Sequence, residues 1–222
     1  MIRWSRLATA AAPGGGELRL MQRGSEFSIM IGADELMNSR RTGSEAALAA
    51  LACQRLSDRQ APHLLIGGLG MGFTLRAALG ELGPQARITV AELVPEVVSW
   101  ARGPLAGVFQ GCLEDPRVRV LETDVRLLIA GGSGYDAVLL DVDNGPGGLV
   151  QSDNDGLYDD QGLLAVRRAL RPGGVLAVWS AAPSPAFVRR LRKAGFEVDE
   201  ATAGSAGSRR GAKHVIWIAT SK

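Results

Sequence analysis

The chain has 222 residues, 46% of them hydrophobic, and its 25 Lys and Arg against 23 Asp and Glu give a formal net charge of +2. This size and apolar content suffice for one large hydrophobic core that needs no disulfide or metal to fold. The near balance of charge argues against a nucleic-acid or membrane surface, so we expect neither as a partner.

The cysteines and the N-terminal residues bear on the cellular compartment. Cys53 and Cys112 lie far apart with no CxxC or Cys/His spacing, which predicts neither a zinc site nor a disulfide framework. Reduced thiols are typical of the cytosol. Arg3 and Arg6 interrupt what would be the apolar core of a signal peptide, and no run approaches the length of a membrane span. We therefore expect a cytoplasmic protein without a bound metal.

The first predicted elements form a small β region followed by a helix. Residues 17–37 alternate in short apolar and polar pieces separated by Gly24 and Gly32, which predicts a β-hairpin or meander. The apolar spacing over residues 42–58 then predicts a helix. We divide the chain accordingly into an N-terminal hairpin or meander region, residues 1–41, and a second domain, residues 42–222.

From residue 63 onward, apolar strands alternate regularly with helices. Strands are predicted at residues 64–67, 87–92, 118–121, 135–141 and 174–180, and helices begin near residues 72, 95, 124, 155 and 185. This alternation is typical of a parallel sheet covered by helices on both faces. Two final strands, 196–204 and 213–220, predict an antiparallel closing pair. The predicted fold is thus α/β: a Rossmann-like, doubly wound, mostly parallel sheet with an antiparallel C-terminal strand pair and a small N-terminal β region.

A glycine-rich segment, "HLLIGGLGMG", follows the first of these strands. Gly68, Gly70 and Gly72 let the backbone turn sharply and approach a ligand closely, although glycine clusters also form plain turns. The dinucleotide fingerprint needs a small residue where Phe73 or Leu75 stands, and no P-loop motif is present. A pyrophosphate ligand is therefore disfavoured.

Acidic residues end three successive strands of the predicted sheet. In open α/β sheets the ligand lies outside these carboxyl ends. Glu92, twenty residues beyond Gly72, stands where a carboxylate accepts ribose hydroxyls, but it could instead cap the following helix. Asp124 could accept the exocyclic amine of adenine or simply N-cap its helix. With Asp141 after the next strand, the negative charge favours a cationic sulfonium nucleoside.

Five segments carry a resemblance to a known family. They are "LLIGGLGMGFTLRAAL", "VAELVPEVVSWAR", "DPRVRVLETDVRLLI", "YDAVLLDVDNGP" and "LYDDQGLLAVRRALRPGGVLAV". Together, over about residues 32–180, the chain resembles the spermidine synthase-like (polyamine aminopropyltransferase) family, which has the class I S-adenosylmethionine-dependent methyltransferase fold. The resemblance implies S-adenosylmethionine or its decarboxylated form as co-substrate, no metal, and a homodimer.

The resemblance also implies roles for individual residues. Asp141 would be the catalytic carboxylate that orients an attacking amine and accepts its proton. From their positions, Asp143, Asn144 and Tyr158 are our candidates for substrate binding. Tyr158 and Trp179 could line an acceptor pocket, with core packing as their alternative. The implied cofactor-binding residues are Gly68, Gly70, Gly72, Glu92, Leu93, Asp124, Val125 and Asp141.

The chain also departs from the family pattern near the amine site. Met71 stands where the family has an acid, and Asn144 replaces the second acid of its D-S-x-D-P motif. "TGSEAALA", residues 42–49, lacks the Tyr and His of its D-E-x-x-Y-H-E stretch. We therefore predict a transferase of aminopropyl or another alkyl group, related to polyamine biosynthesis, with an unidentified small-molecule acceptor such as an amine. The alternatives are an S-adenosylmethionine-dependent methyltransferase and a non-catalytic nucleoside-binding module.

Overall fold

The computed structural model describes residues 2–40, 43–142, 155–204 and 213–222. Its first four strands form an antiparallel meander in the order β1-β2-β3-β4. They are β1 (Ser5–Ala11), β2 (Glu17–Arg23), β3 (Glu26–Ile31) and β4 (Asp34–Asn38). The prediction for residues 17–37 covered the last three strands, and β1 is an addition. Residues 41 and 42, where we divide the chain, lie outside the described residues, so that division stays a prediction.

The second sheet has seven strands in the order β10-β11-β9-β8-β5-β6-β7. Strands β5 to β9 are parallel, while β11 pairs antiparallel with both β9 and β10. The predicted fold class is confirmed. The elements in the first half are α1 (Gly43–Gln54), β5 (His63–Gly67), α2 (Phe73–Glu81), β6 (Arg87–Glu92), α3 (Pro95–Arg102), α4 (Ala106–Phe109), β7 (Val118–Glu122), α5 (Val125–Gly131) and β8 (Tyr135–Leu140).

The second half differs in detail from the predicted elements. It contains α6 (Asp155–Tyr158), α7 (Asp160–Ala169), β9 (Leu170–Ser180), α8 (Pro185–Lys193), β10 (Phe196–Gly204) and β11 (Lys213–Ser221). The single helix predicted from residue 155 is two helices, because Asp159 caps the second by accepting a hydrogen bond from the Gly162 amide at 2.8 Å. Strand β9 also begins at Leu170, four residues before the predicted start at residue 174.

Helices cover both faces of the seven-stranded sheet. Leu64 and Ile66 on β5 face one apolar cluster, which includes α1, α2, α3 and the inner side of the meander. Leu65, between them, faces a second cluster built with α5, α7 and α8. Alternate residues of one strand therefore serve two cores, which is why the strand is apolar throughout rather than in alternation.

The order of the central strands places a crevice between β5 and β8. From β5 the chain moves outward through β6 and β7, then returns to β8 on the other side of β5. Ligands of open α/β sheets bind at such a reversal of strand order. The Asp141 amide donates to the Gly67 carbonyl at 3.2 Å. Gly68 adopts a φ of +88°, and a Cβ there would lie 2.7 Å from the Asp141 carbonyl oxygen. Glycine is therefore required at residue 68.

Substitution of Gly72 tests how closely the glycine turn packs against Phe109. Its φ is +76°, and an added Cβ would lie 2.5 Å from the ring of the buried Phe109. We expect Gly72→Ala to lower the free energy of unfolding by about 2–5 kcal/mol, measured by urea denaturation. Gly80→Ala, within the helix α2 that follows Gly72, is the control. A Cβ at residue 80 meets nothing within 4 Å, so the free energy of unfolding should rise by about 0.5–1 kcal/mol. Equal effects of the two substitutions would contradict this packing.

Candidate active site

A cavity of about 140 Å³ opens at the carboxyl ends of β5, β6 and β8. The meander forms its opposite wall through apolar side chains, among them Leu18, Ile29, Leu36 and Met37. We call it the first cavity. Seven of the eight predicted cofactor-binding residues line it: Gly68, Gly70, Glu92, Leu93, Asp124, Val125 and Asp141. The fold thus brings together at one place residues that are up to 73 positions apart in sequence, from Gly68 to Asp141. Gly72, the eighth, instead packs against Phe109.

Glu92 ties the glycine turn to the end of β6. Its Oε2 accepts a hydrogen bond from the Leu69 amide and its Oε1 one from the Val94 amide, both at 2.9 Å. Burial raises the pKa of Glu92, and the surrounding backbone amides oppose that rise. Each carboxylate oxygen has a second lone pair. The amides of Gly70 and Leu93 also act on this carboxylate, so a hydroxyl donor from the cavity would share its lone pairs with backbone amides.

Asp124 has its partners within its own helix. It is the N-cap of α5, where Oδ1 accepts a hydrogen bond from the Arg126 amide at 2.8 Å. Its Oδ2 accepts hydrogen bonds from Arg126 Nε at 2.8 Å and Nη2 at 2.6 Å. Burial alone would raise the pKa of Asp124, but the side-chain and backbone bonds from Arg126 lower it. The capping alternative therefore describes the observed contacts, and an adenine amine would use a remaining lone pair or displace the guanidinium.

A second cavity, of about 110 Å³, adjoins the first. Its lining residues are Leu36, Met37, Glu45, Leu69, Gly70, Met71, Phe73, Asp141 and Trp179. Four of these, Leu36, Met37, Gly70 and Asp141, also line the first cavity. Asp141 therefore stands at the junction of two spaces. A group bound in either cavity would lie against it.

The surroundings of Asp141 bring its proton exchange close to neutral pH. Thr74 Oγ1 donates a hydrogen bond to Oδ2 at 2.8 Å. Burial and the negative charge of Glu45 raise the pKa of Asp141 to about 7, although the Thr74 hydroxyl opposes the rise. A carboxylate with this pKa is suited to taking up a proton at neutral pH.

Sequence reasoning missed several of these contributors. Glu45 lies in the segment that we noted only for lacking Tyr and His, and its acid at residue 45 was the available signal. Thr74, two residues beyond the glycine run, carried no signal of its own. Leu36 and Met37 belong to the meander, whose approach to the cavities depends on tertiary packing.

The predicted substrate-binding residues fall in three different places. Asp143 and Asn144 lie outside the described residues. Tyr158 is buried in the second apolar cluster, where its ring meets Phe187 edge-on at 5.6 Å. Trp179 lies on the opposite face of the sheet, packed against the first cluster and lining the second cavity. A substrate contact of Tyr158 stays a prediction.

The described residues contain neither a cluster of metal ligands nor a membrane-spanning helix. Within residues 2–40, 43–142, 155–204 and 213–222, no three His, Cys, Asp or Glu side chains group as a metal site. In the same part of the chain, no helix has both the length and the apolarity to cross a membrane. Cys53 and Cys112 are both buried, and burial raises their pKa values to about 12 and about 11.

Comparison with known proteins tests the resemblance. No protein-family model matches the chain. A polyamine aminopropyltransferase of Mycobacterium tuberculosis is 32% identical over 153 residues, covering 64% of this chain and 28% of the relative. Polyamine aminopropyltransferase 2 of Pseudomonas aeruginosa is 36% identical over 126 residues, covering 54% of this chain and 34% of the relative. The chain is similar to polyamine aminopropyltransferases. It spans about a third or less of the length of these two relatives.

Solved structures agree with that similarity at the level of the fold. The spermidine synthase from Thermotoga maritima has a TM-score of 0.73 and 15% identity, covering 98% of this chain and 72% of that one. A spermidine synthase in complex with the transition-state analogue AdoDATO also has a TM-score of 0.73 and 15% identity, covering 100% of this chain and 74% of that one. The predicted resemblance to spermidine synthases is confirmed in sequence relatives and in fold.

Asp141 gives a pH-dependent stability test of the site. Its folded-state pKa lies above the ordinary value of 3.8, so ionisation opposes folding: stability is greatest below about pH 4 and is lost as pH rises to about 7. Asp141→Asn removes this loss and should raise the free energy of unfolding by roughly 1–4 kcal/mol at pH 8. The gain should shrink toward zero at pH 4. Urea denaturation at both pH values measures it.

The exposed Asp58 provides the control for that experiment. Asp58→Asn should change stability by less than about 0.5 kcal/mol at either pH. A gain for Asp141→Asn that is equal at pH 4 and pH 8 would refute the raised pKa of Asp141.

Proposed function

We propose that this chain binds decarboxylated S-adenosylmethionine in the first cavity and transfers its aminopropyl group to an acceptor held in the second. The observation that carries the proposal is the position of Asp141, which lines both cavities and has a pKa of about 7. The polyamine aminopropyltransferase relatives support the reaction class, and the AdoDATO complex of a related fold supports the co-substrate.

The first cavity offers groups that suit an adenosyl sulfonium. Gly68 and Gly70 lack side chains where a nucleoside would approach the backbone. Glu92 has lone pairs for ribose hydroxyls, and the exposed Leu93 provides apolar surface beside them. Asp124 would accept from the adenine amine. Because Asp124 is paired with Arg126, the negative charge that favours a cationic nucleoside over a phosphorylated one comes from Glu92 and from Asp141 when it is ionised.

The reaction needs one proton acceptor. A neutral amine of the acceptor attacks the aminopropyl carbon bonded to the sulfonium sulfur, so a C–N bond forms as the C–S bond breaks. The electron pair of the broken bond stays on sulfur, which leaves as a neutral thioether and takes no proton. The new ammonium then gives its extra proton to Asp141. The carboxylate also orients the amine before attack.

Binding of the two nucleosides tests the proposed co-substrate. Decarboxylated S-adenosylmethionine at 100 times its Kd should stabilise the protein by about 2.7 kcal/mol in a thermal-shift measurement. Asp141→Asn should retain this stabilisation and lose turnover with any accepted amine by about 100-fold or more, measured by mass spectrometry of the alkylated product. Stabilisation by S-adenosylmethionine alone would favour the methyltransferase instead. Binding without turnover for any amine or methyl acceptor would favour the non-catalytic module.

The pH profile tests the role of Asp141 in turnover. We expect kcat/KM to rise with pH through an apparent pKa of about 7, because only the ionised carboxylate accepts a proton. Thr74→Val removes the hydrogen bond that favours the ionised form, so the apparent pKa should move upward. Glu45→Gln removes a neighbouring negative charge, so it should move downward. Identical midpoints in all three proteins would show that Asp141 does not control the profile.

The assembly and location of the protein are separate proposals. The homodimer follows from the resemblance alone, and the cytoplasmic location follows from the reduced thiols that we expect. Both stay predictions.

A further inference from the structure

The second cavity is mostly apolar away from Asp141. Leu69 and Met71 come from the glycine turn, Phe73 from the start of α2, and Leu36 and Met37 from the meander. Met71 is 4% exposed and Leu69 is 5% exposed, so both side chains are already packed. An occupant of this cavity therefore meets hydrocarbon and thioether surface on several sides.

The charge in this cavity is concentrated near Asp141. Of the described residues that line it, Glu45 and Asp141 are the two that carry a carboxylate. Both line the same small cavity, and the negative charge of Glu45 raises the pKa of Asp141. The Thr74 hydroxyl donates a hydrogen bond to Asp141, and the Ser44 hydroxyl donates one to Glu45 at 2.8 Å. A single amine nitrogen between them would have hydrogen-bond acceptors from two sides.

Trp179 adds an aromatic wall beside the same carboxylate. Val178 pairs with Leu140 in the register of β9 and β8. The next residues, Trp179 and Asp141, are therefore neighbours at the carboxyl ends of these two strands. The indole ring packs against the imidazole of His214, with ring centroids 4.8 Å apart. An indole face accommodates both alkyl groups and an adjacent ammonium.

We propose, building on the proposed function, that the acceptor is a small monoamine with an apolar body rather than a diamine. Its amine nitrogen lies between Asp141 and Glu45, and its carbon skeleton lies among Leu69, Met71 and Phe73. Beyond Glu45 and Asp141, the described lining offers no carboxylate, so the second ammonium of a diamine would be buried against that apolar surface, which is strongly unfavourable. A cavity of about 110 Å³ also restricts the acceptor to a compact molecule.

Three amines of equal heavy-atom count test the charge preference. The wild-type protein is assayed with decarboxylated S-adenosylmethionine and n-pentylamine, 4-amino-1-butanol or 1,4-diaminobutane, with kcat/KM measured by mass spectrometry of the products. We expect n-pentylamine to exceed 1,4-diaminobutane by about tenfold or more, with the aminoalcohol between them. A diamine used as well as or better than n-pentylamine overturns the inference and leaves the proposed transferase intact.

Substitution of Met71 tests the apolar wall directly. Met71→Asp adds a carboxylate to the lining of the second cavity and should reduce the preference for n-pentylamine over the diamine by about tenfold. Met71→Leu keeps the wall apolar and is the matched control, with the preference unchanged. An unchanged preference in folded Met71→Asp, or a lost preference in Met71→Leu, counts against the proposal.

A binding measurement separates this inference from the proposed function. Thermal shift of the wild-type protein with each amine needs no turnover, so it reports binding of the amine independently of transfer. Stabilisation by n-pentylamine without transfer from the nucleoside would support the cavity assignment and refute the transferase. Stabilisation by 1,4-diaminobutane but not by n-pentylamine would overturn the cavity assignment, as would the absence of stabilisation by any of the three amines.

Discussion

The close approach of two backbone segments in the crevice between β5 and β8 controls the arrangement of the whole site. The Asp141 amide donates to the Gly67 carbonyl, and the Asp141 carbonyl oxygen occupies the space that a side chain on Gly68 would need. A larger residue at 68 would push the turn away from the end of β8. With glycine there, the turn passes between the two cavities, and the Asp141 side chain faces both. The position of the proposed proton acceptor therefore follows from a backbone contact.

Three acids at neighbouring strand ends acquire different chemistry from the partners around them. Glu92 accepts hydrogen bonds from backbone amides and so links the glycine turn to the end of β6. Asp124 is neutralised by the guanidinium of Arg126. Among the described residues, Asp141 accepts a side-chain hydrogen bond from the Thr74 hydroxyl and faces the like charge of Glu45. The residue type is nearly the same in all three places. The local supply of positive charge and N–H donors decides which acid exchanges a proton near neutral pH.

The sheet and the acids at its strand ends could be predicted from the sequence, because buried parallel strands are continuous apolar runs and glycine marks the turn. The proximity of Glu45 to Asp141 could not be predicted, because it depends on how α1 packs across the end of β8. The two alternatives for Asp124 were visible, but the choice rests on the conformation of the Arg126 side chain. Tyr158 shows the same limit: the helix break at Asp159 and the packing against Phe187 bury its ring in the second cluster. The local pattern predicts the residue type at each strand end, whereas tertiary packing determines which groups each side chain contacts.

The meander has a consequence for how the two ligands depend on each other. Leu36 and Met37 line both cavities, so one small sheet contacts two adjoining binding spaces. A ligand that orders this sheet reduces the conformational cost that the next ligand must meet. Nucleoside and acceptor would thus bind with positive cooperativity, by equal factors in either order of addition, in addition to any contact between their reacting groups.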